Sequence, residues 1–579
     1  MAEATLTGPE VLKPGHAIVR ALRAEGVEVV FGLPGGHVLG IYDGLIDAPD
    51  IRHVLVRHEH TAAAMAAGYA QLTGEPGVCV VTAGPGATNV LTAVSEAFVG
   101  ALPLVIICGR AMTVTAHRGA SQEVPTDRMF APVTKWTVRA DRSDHLPDLI
   151  RQGFAIARSG KPGPVMIDIP RDLFDGEISL GAYVPSRGHP RVAGDPAIVA
   201  EAAELLGAAR RPLIVAGGGS VASAAAEEVR RLAETLRAPV LTSMSGRGII
   251  PEDHALAAGG LGAHRNELSK RLLVEADVII GLGTRFEEME TNWRAGYVPD
   301  PASAYIQVDL DAAELSKSIP ARVGIVGDVR TVLGQLLERL GETLAAPAGE
   351  FADDPRTREV VEGIAEIDAE CDLAEQDDRS PLAPLRIIRV ARRVFPRETT
   401  VATDVGCLSE HIAGAAPFFR VYEQRSFISP SSFYGMGYAS SAAPVAKIVY
   451  PDRPALCFVG DGSFQMVMPV LPTAVDNGLA VTWVVLDDRA FGSIRDLQEF
   501  RMKGRFIATE FDYQPDLAAV ARACGCHGEY IEEPAEIEPA LRRALAANGD
   551  GRPAVLQFRV ARDRMMQSRE HFNLFPAAQ

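Results

Sequence analysis

Cysteine is scarce. Seven are scattered over 579 residues, at positions 79, 108, 371, 407, 457, 524 and 526, and none has the spacing of a zinc site. The pair in "CGC" at 524–526 reads as incidental. This pattern excludes a disulfide-stapled scaffold and leads us to expect a reduced, cytoplasmic protein. Long apolar runs are also missing. "PLVIICG" and "VTWVVL" fall far short of the roughly 20 residues a spanning helix needs. The opening "MAEATLTGPEVLKPGHAIVRALRAEG" has no apolar signal core, so no membrane partner is expected. Positive charge is outnumbered: 57 Lys and Arg face 74 Asp and Glu, for a formal net charge of −17. Such a balance argues against nucleic acid as a partner. Small anionic ligands answer to local fields and stay open.

What is present is alternation. At this length one hydrophobic core is not enough, and three or so domains are expected. Pro14–Glu25 reads as an amphipathic helix with its proline in the first turn. Val27–Gly32 reads as a strand, "LPGG" as a turn, and a short apolar run then delivers Glu59 to an alanine-rich helix. Strand "GVCVVTAGPG", helix "ATNVLTAVSEAFVGA", strand "PLVIICG" and a late strand in "KPGPVMIDIPRDLF" follow. Strands apolar on both faces and separated by helices predict a parallel sheet covered on both sides. A second alternating unit holds "RPLIVAGGGS", "APVLTSMSG", "ADVIIGLGTRF" and "AYIQVDLD"; a third holds "TVATDVG", "PALCFVGDGS", "AVTWVVLDD" and "PAVLQFRV". The expected fold is therefore α/β, with three doubly wound parallel-sheet domains at 1–185, 195–345 and 381–579. A charged, partly helical linker is expected at 346–380.

One stretch decides the chemistry. In "FVGDGSFQMVMPVLPTAVDNGLAVTWVVLDDRAFGSIRD", Asp461 follows one apolar strand and Asp487–Asp488 follow the next. Neighbouring strand ends of a parallel sheet share the edge where ligands bind. Two carboxylates there suit Mg²⁺ or Ca²⁺, and the glycine-flanked amides and hydroxyl of "GDGS" suit phosphate oxygens. Strand-end Asp and Gly also serve as turn residues and caps. The spaced pair of acids, 461 and 488, reads as a metal-bridged diphosphate site.

This pair resembles the diphosphate motif of thiamine-diphosphate (ThDP) enzymes, with Asp487–Asp488 standing where those enzymes usually carry Asn-Asn. "RHE" at 57–59 with "TAGPGATN" resembles the N-terminal catalytic segment of the acetolactate synthase branch, and "SSFYGMGYASSAA", "GASQEVPT" and "FGLPGGHVLGIYDGL" extend the likeness over nearly the whole chain. The resemblance implies three domains: pyrimidine-binding, Rossmann-like middle, and diphosphate-binding. It implies that Glu59 hydrogen-bonds N1′ of the aminopyrimidine, a role that needs a carboxyl held out of water. It implies Asp461, Asp488 and the carbonyl of Ala490 as magnesium ligands, and Gly462, Ser463, Gly492 and Ser493 along the diphosphate. Gly35, Gly36, Gly406, Cys407, Tyr434, Gly435 and Phe491 would line the cofactor, and Met436 would wedge between its rings and bend it. Gln122 would reach the active centre, and His37, Ser121, Met289, Ile494 and Leu497 would face the substrate.

The resemblance further implies a C–C bond lyase or carboligase acting on a 2-oxo acid or aldehyde through a C2 carbanion and an enamine. Assembly would be as a homodimer or homotetramer, with Glu59 of one subunit meeting the diphosphate site of another. Two departures bear on the acceptor. Met289, in "RFEEMET", stands where acetolactate synthases carry a carboxylate-gripping arginine, and Leu497 stands where they carry a selective tryptophan. Both favour a less charged, bulkier acceptor, with Arg285 or Arg495 as a substitute charge. A genuine acetolactate synthase is the alternative. "GGLGAH", "GLGTRF" and "VDLDAAEL" resemble that family's flavin-binding middle domain and leave FAD, an ADP-like ligand or neither open. A non-catalytic relative would be marked by loss of a key acid, and Glu59, Asp461 and Asp488 are all acids here.

Overall fold

The structure is a computed structural model, and it describes residues 10–186, 188, 190–262, 266–291, 293, 296–343, 351–406, 412 and 419–562. Within these residues the chain forms three six-stranded sheets and divides into two compact units. One unit comprises 1–190, 430–451 and 467–479; the other comprises 191–429, 452–466 and 480–579. Each sheet is parallel throughout, as apolar strands joined by helical crossovers require.

In the first unit, a short strand β1 (Glu10–Leu12) precedes the sheet strands β2 (Val29–Leu33), β3 (Arg52–Leu55), β4 (Gly77–Val81), β5 (Leu104–Arg110), β6 (Trp136–Arg139) and β7 (Pro164–Pro170). Their order in the sheet is β3-β2-β4-β5-β7-β6, and β1 pairs antiparallel with β8 (Ile178–Leu180) outside it. The inner strands β4, β5 and β7 are buried at every position. A buried Val or Ile stabilises by about 1.5–3 kcal/mol, so these strands anchor the layer. The chain switches direction across the sheet between β2 and β4, which opens a crevice at their C-terminal ends.

The second unit carries two sheets. β9 (Pro212–Ala216), β10 (Val240–Thr242), β11 (Ala257–Gly260), β12 (Val278–Leu282), β13 (Ala304–Asp309) and β14 (Val323–Val326) take the order β11-β10-β9-β12-β13-β14, the arrangement of a dinucleotide fold. β15 (Thr400–Thr403), β16 (Phe427–Ile428), β17 (Ala455–Gly460), β18 (Thr482–Asp487), β19 (His527–Ile531) and β20 (Ala554–Arg559) take the order β16-β15-β17-β18-β20-β19. That repeats the topology of the first sheet. The segment expected as a linker contains a helix, Pro355–Glu375, started by an Asp354 cap that accepts from the amides of Arg356 and Thr357. No helix among the described residues is long and apolar enough to cross a membrane.

Candidate functional site

Glu59 is the first residue of helix Glu59–Thr73, which follows β3. Extended His58 caps that helix by accepting from the His60 amide. The segment before it is fastened by Arg52, which donates to the Asn477 carbonyl at 2.7 Å, and by an ion pair between Arg57 and Asp476. Glu59 is only 8% exposed, and Asn89 Nδ2 donates to its Oε2 at 2.9 Å. Asn89 lies on helix Pro85–Val99, which leaves β4 through Gly84, a glycine at φ +58°. A Cβ on Gly86, in the first turn of that helix, would stand 3.6 Å from Glu59 Oε1.

The expected glycine loop after β2 closes on the same crevice. A Cβ on Gly35 would collide with Thr82 at 2.4 Å, whereas Gly36 faces open space. His37 places Nδ1 at 3.4 Å from Thr82 Oγ1, and burial followed by the nearby Arg171 charge lowers its pKa, which favours the neutral ring. Gln122 is exposed at φ +61°, and its carbonyl would meet a Cβ on Gly84 at 2.8 Å. Its neighbour Ser121 is exposed too. The structure therefore brings Glu59, Gly35, His37 and Gln122 round one turn, and it adds Thr82 and Asn89, which the sequence reading missed.

The loop expected to hold the cofactor's bend also lies in the first unit. Tyr434 adopts φ +53°, the left-handed conformation that glycine favours. Gly437 at φ +82° starts helix Tyr438–Ala442. Between them Met436 is 47% exposed, a large apolar side chain held out of the core. Glu96 accepts from the amides of Ser431 and Gly435.

The acids lie at the C-terminal edge of the last sheet. Asp461 ends β17's run and begins helix Asp461–Val467, and Asp487 ends the adjacent β18. Asp461 accepts from the amides of Gly462 at 2.9 Å and Arg489 at 3.1 Å. Asp487 accepts from Gln557 Nε2 at 2.8 Å and from the Arg489 amide at 3.2 Å. Burial, Asp488 and Asp487, in that order, push the Asp461 carboxyl well above the usual carboxylate range. Burial raises Asp488 to about 6, even though the Ala490 amide and the Arg562 and Arg559 charges pull it down. Buried acids that repel one another in this way suit a divalent cation between them. Among the described residues no three His, Cys, Asp or Glu side chains form a metal cage. A cation here would therefore draw on two aspartates, a backbone carbonyl such as that of Ala490, and ligand oxygens.

Around these acids the expected diphosphate residues assemble. The Ser463 hydroxyl donates to buried Asp404 at 3.0 Å, and Asp404 also accepts from the Val405 amide, just before Gly406 at φ +121°. A Cβ on Gly462 would strike the Phe491 ring at 2.7 Å. The Phe491 amide donates to the Thr509 carbonyl at 2.8 Å. Helix Gly492–Arg501 then starts with Gly492 and Ser493, exposes Ile494 and half-buries Leu497. Arg562 donates to the carbonyls of Asp488 and Arg489 and fixes the turn between them. Cys407 lies outside the described residues. Met289 sits on the short helix Glu288–Thr291, its carbonyl against Gly262. The two arginines considered as substitute charges have partners: Arg285 pairs with Glu287 at 2.6 Å, and Arg495 pairs with Glu510 at 2.8 Å and stacks over Phe506.

A buried acid at the switch point of one parallel sheet, and strand-end aspartates with a glycine turn on another of the same topology, define the class of thiamine-diphosphate-dependent enzymes. The comparisons agree. Models of the thiamine pyrophosphate enzyme N-terminal TPP-binding domain, central domain and C-terminal TPP-binding domain match residues 12–129, 199–336 and 404–558. The chain is 33% identical over 542 residues to the acetolactate synthase isozyme 3 large subunit of Escherichia coli, covering 93% of this chain and 92% of that protein. It is 34% identical over 549 residues to the probable acetolactate synthase large subunit of Methanocaldococcus jannaschii, covering 93% and 90%. To the acetolactate synthase large subunit of Corynebacterium glutamicum it is 33% identical over 571 residues, covering 96% and 88%. The chain belongs to the thiamine pyrophosphate enzyme family, in the neighbourhood of these large subunits.

Proposed function

We propose that the chain is a carboligase or lyase that uses thiamine diphosphate and Mg²⁺ to make or break a C–C bond next to the carbonyl of a 2-oxo acid or aldehyde. Bound here, the cofactor supplies a carbon nucleophile and an electron sink. In this reading Glu59 holds and exchanges a proton at N1′ of the pyrimidine ring, with Asn89 fixing the carboxylate's orientation. The Tyr434 carbonyl accepts from the 4′-amino group, and Met436 enforces the bent form, with Gly35, Gly36 and Gly435 letting backbone approach. Asp461, Asp488 and the Ala490 carbonyl hold the metal. Gly462, Ser463, Gly492 and Ser493 line the diphosphate, and Gly406, Cys407 and Phe491 contribute to the cofactor site. Gln122 reaches the active centre, and His37, Ser121, Met289, Ile494 and Leu497 face the substrate. Active sites form between subunits of a homodimer or homotetramer in the cytoplasm, and the three domains run over 1–185, 195–345 and 381–579.

The observation that carries this reading is the Glu59 carboxylate, 8% exposed at the mouth of a glycine turn and oriented by Asn89. Burial next to a small-residue turn is what proton exchange with a ring nitrogen requires. Mass spectrometry of products from a panel of 2-oxo acids and aldehydes, with ThDP and Mg²⁺ present, tests the reaction. No product from any pair, with cofactor bound, would overturn it.

Synthesis of acetolactate is the second reading, favoured by the names of the relatives. Against it stand Met289 in place of an arginine and the pairing of Arg285 and Arg495 with glutamates. Colorimetric acetolactate formation from pyruvate alone decides between the two. A flavin in the middle domain accords with its strand order. There the Gly219 amide donates to the Gly283 carbonyl at 3.0 Å, so part of the glycine turn is used in packing. A yellow protein with flavin absorption would establish the cofactor.

A further inference from the structure

Glu96 is a buried acid that the reaction as described does not use. It lies two turns beyond Asn89 on helix Pro85–Val99 and is 1% exposed. A carboxylate so deep in the protein is costly unless donors converge on it. Two main-chain amides do so from one loop far along the chain. The Ser431 amide donates to Oε1, and the Gly435 amide donates to Oε2 at 3.1 Å. The Ser431 hydroxyl adds a bond to the Glu96 main-chain carbonyl at 3.4 Å. A Cβ on Gly435 would stand 3.3 Å from Oε2, so the loop lies directly against the acid.

The loop so held is strained and exposed. Tyr434 is in the left-handed region, and the next residue but one, Met436, points a large apolar side chain outward at 47% exposure. A non-glycine residue in that conformation is strained. Charge-assisted bonds from two amides flanking it oppose that strain. A carboxylate suits this geometry because both oxygens accept. Glutamine offers one acceptor, and its amide group would face a second donor.

We propose that Glu96 is a positioning residue for the cofactor: its carboxylate clamps the ends of the 431–435 segment and so sets the Tyr434 carbonyl and the Met436 side chain where the aminopyrimidine and thiazolium rings require them. This rests on the ThDP reading above. It predicts that the clamp is built before cofactor arrives, because its partners are main-chain amides of the same chain.

The test uses full-length Glu96→Gln beside wild type, with two readouts. Amide hydrogen exchange without cofactor reads the clamp: Ser431 and Gly435 should exchange at least about tenfold faster in the variant, the equivalent of about 1.4 kcal/mol. Calorimetric titration with ThDP and Mg²⁺ reads positioning: the dissociation constant should rise at least about tenfold, with the melting temperature of the apo protein little changed. Glu96→Asp, which keeps both acceptors on a shorter arm, should fall between, and it carries the test alone if the glutamine variant does not fold. Unchanged exchange at both amides overturns the clamp. Faster exchange with unchanged cofactor affinity overturns the positioning role. Wild-type protein that binds no ThDP overturns the cofactor reading and the role with it, and it is recognised because the exchange difference survives.

Discussion

Glu59 and Asn89 are thirty residues apart in sequence and share one hydrogen bond of 2.9 Å. If the glutamate exchanges a proton with the cofactor, Glu59→Gln should lower turnover at least about 10²-fold while leaving melting temperature and Mg²⁺-dependent ThDP binding within a few-fold of wild type. Steady-state kinetics and calorimetry check both halves, and a fully active variant would remove the mechanism. The acid itself was legible: an isolated glutamate between an apolar run and an alanine-rich helix, beside a glycine turn. Asn89 and Glu96 were not. A polar residue inside a helix is commonplace, and only the fold reveals that one meets a carboxylate and the other two amides. The same holds for Asp404 and Arg562, whose partners are Ser463 and the carbonyls of residues 488 and 489. The exchange of Asn-Asn for Asp487–Asp488 was visible, but its accommodation was not. Gln557 donates to Asp487, and the Arg559 and Arg562 charges oppose the rise at Asp488.

At the scale of elements, the inner strands of all three sheets were readable and the edges were not. β2, β4, β5 and β7, β9, β10, β12 and β13, and β15, β17, β18 and β20 all occupy inner places and stand in the sequence as apolar runs. The edge strands β6, β11, β14, β16 and β19 went unread, and β3 registered only as a short apolar run. An edge strand is short and half solvated, so it lacks the two-sided apolar signature; β19 reads "HGEYI" with a single buried residue. Turns are equally decisive. Gly84→Ala places a Cβ 2.8 Å from the Gln122 carbonyl at a backbone angle that L-residues avoid. It should destabilise by about 1–3 kcal/mol and lower turnover, measured by urea unfolding and initial rates. The Glu59 helix also carries a titrating liability. His60 is held at about 4 by burial and by His58, below its ordinary 6.5. The unfolded chain therefore takes up the proton first, and stability is full above pH 6.5 and falls as pH drops towards 4. The loss should reach at most about 3 kcal/mol, and His60→Leu should flatten that limb of a plot of urea midpoint against pH.

At the scale of the whole molecule, the proposed function divides its machinery between the two ends of the polypeptide: Glu59 at the front, and Asp461 with Asp488 at the rear. Each variant lacking one of these acids should be inactive by itself. Whether they cooperate within one chain or across two is decided by mixing. If each active site joins the front of one subunit to the rear of another, a dimer formed from one Glu59→Gln chain and one Asp461→Asn chain carries one site with both defects and one with neither. Random pairing of equal amounts makes about half the dimers mixed, so coexpression should restore about a quarter of wild-type activity from two inactive parents. If the site is built within a single chain, every site in the mixture retains one defect and activity stays at the level of the parents. Differently tagged chains purified through both tags raise the expected value to about half, which separates true complementation from reversion or contamination. The same preparation tests the metal. A chelator should release ThDP from the intact site of the mixed dimer and abolish the recovered activity, and added Mg²⁺ should restore both, because only the bridging ion offsets the repulsion between the diphosphate and the buried acids.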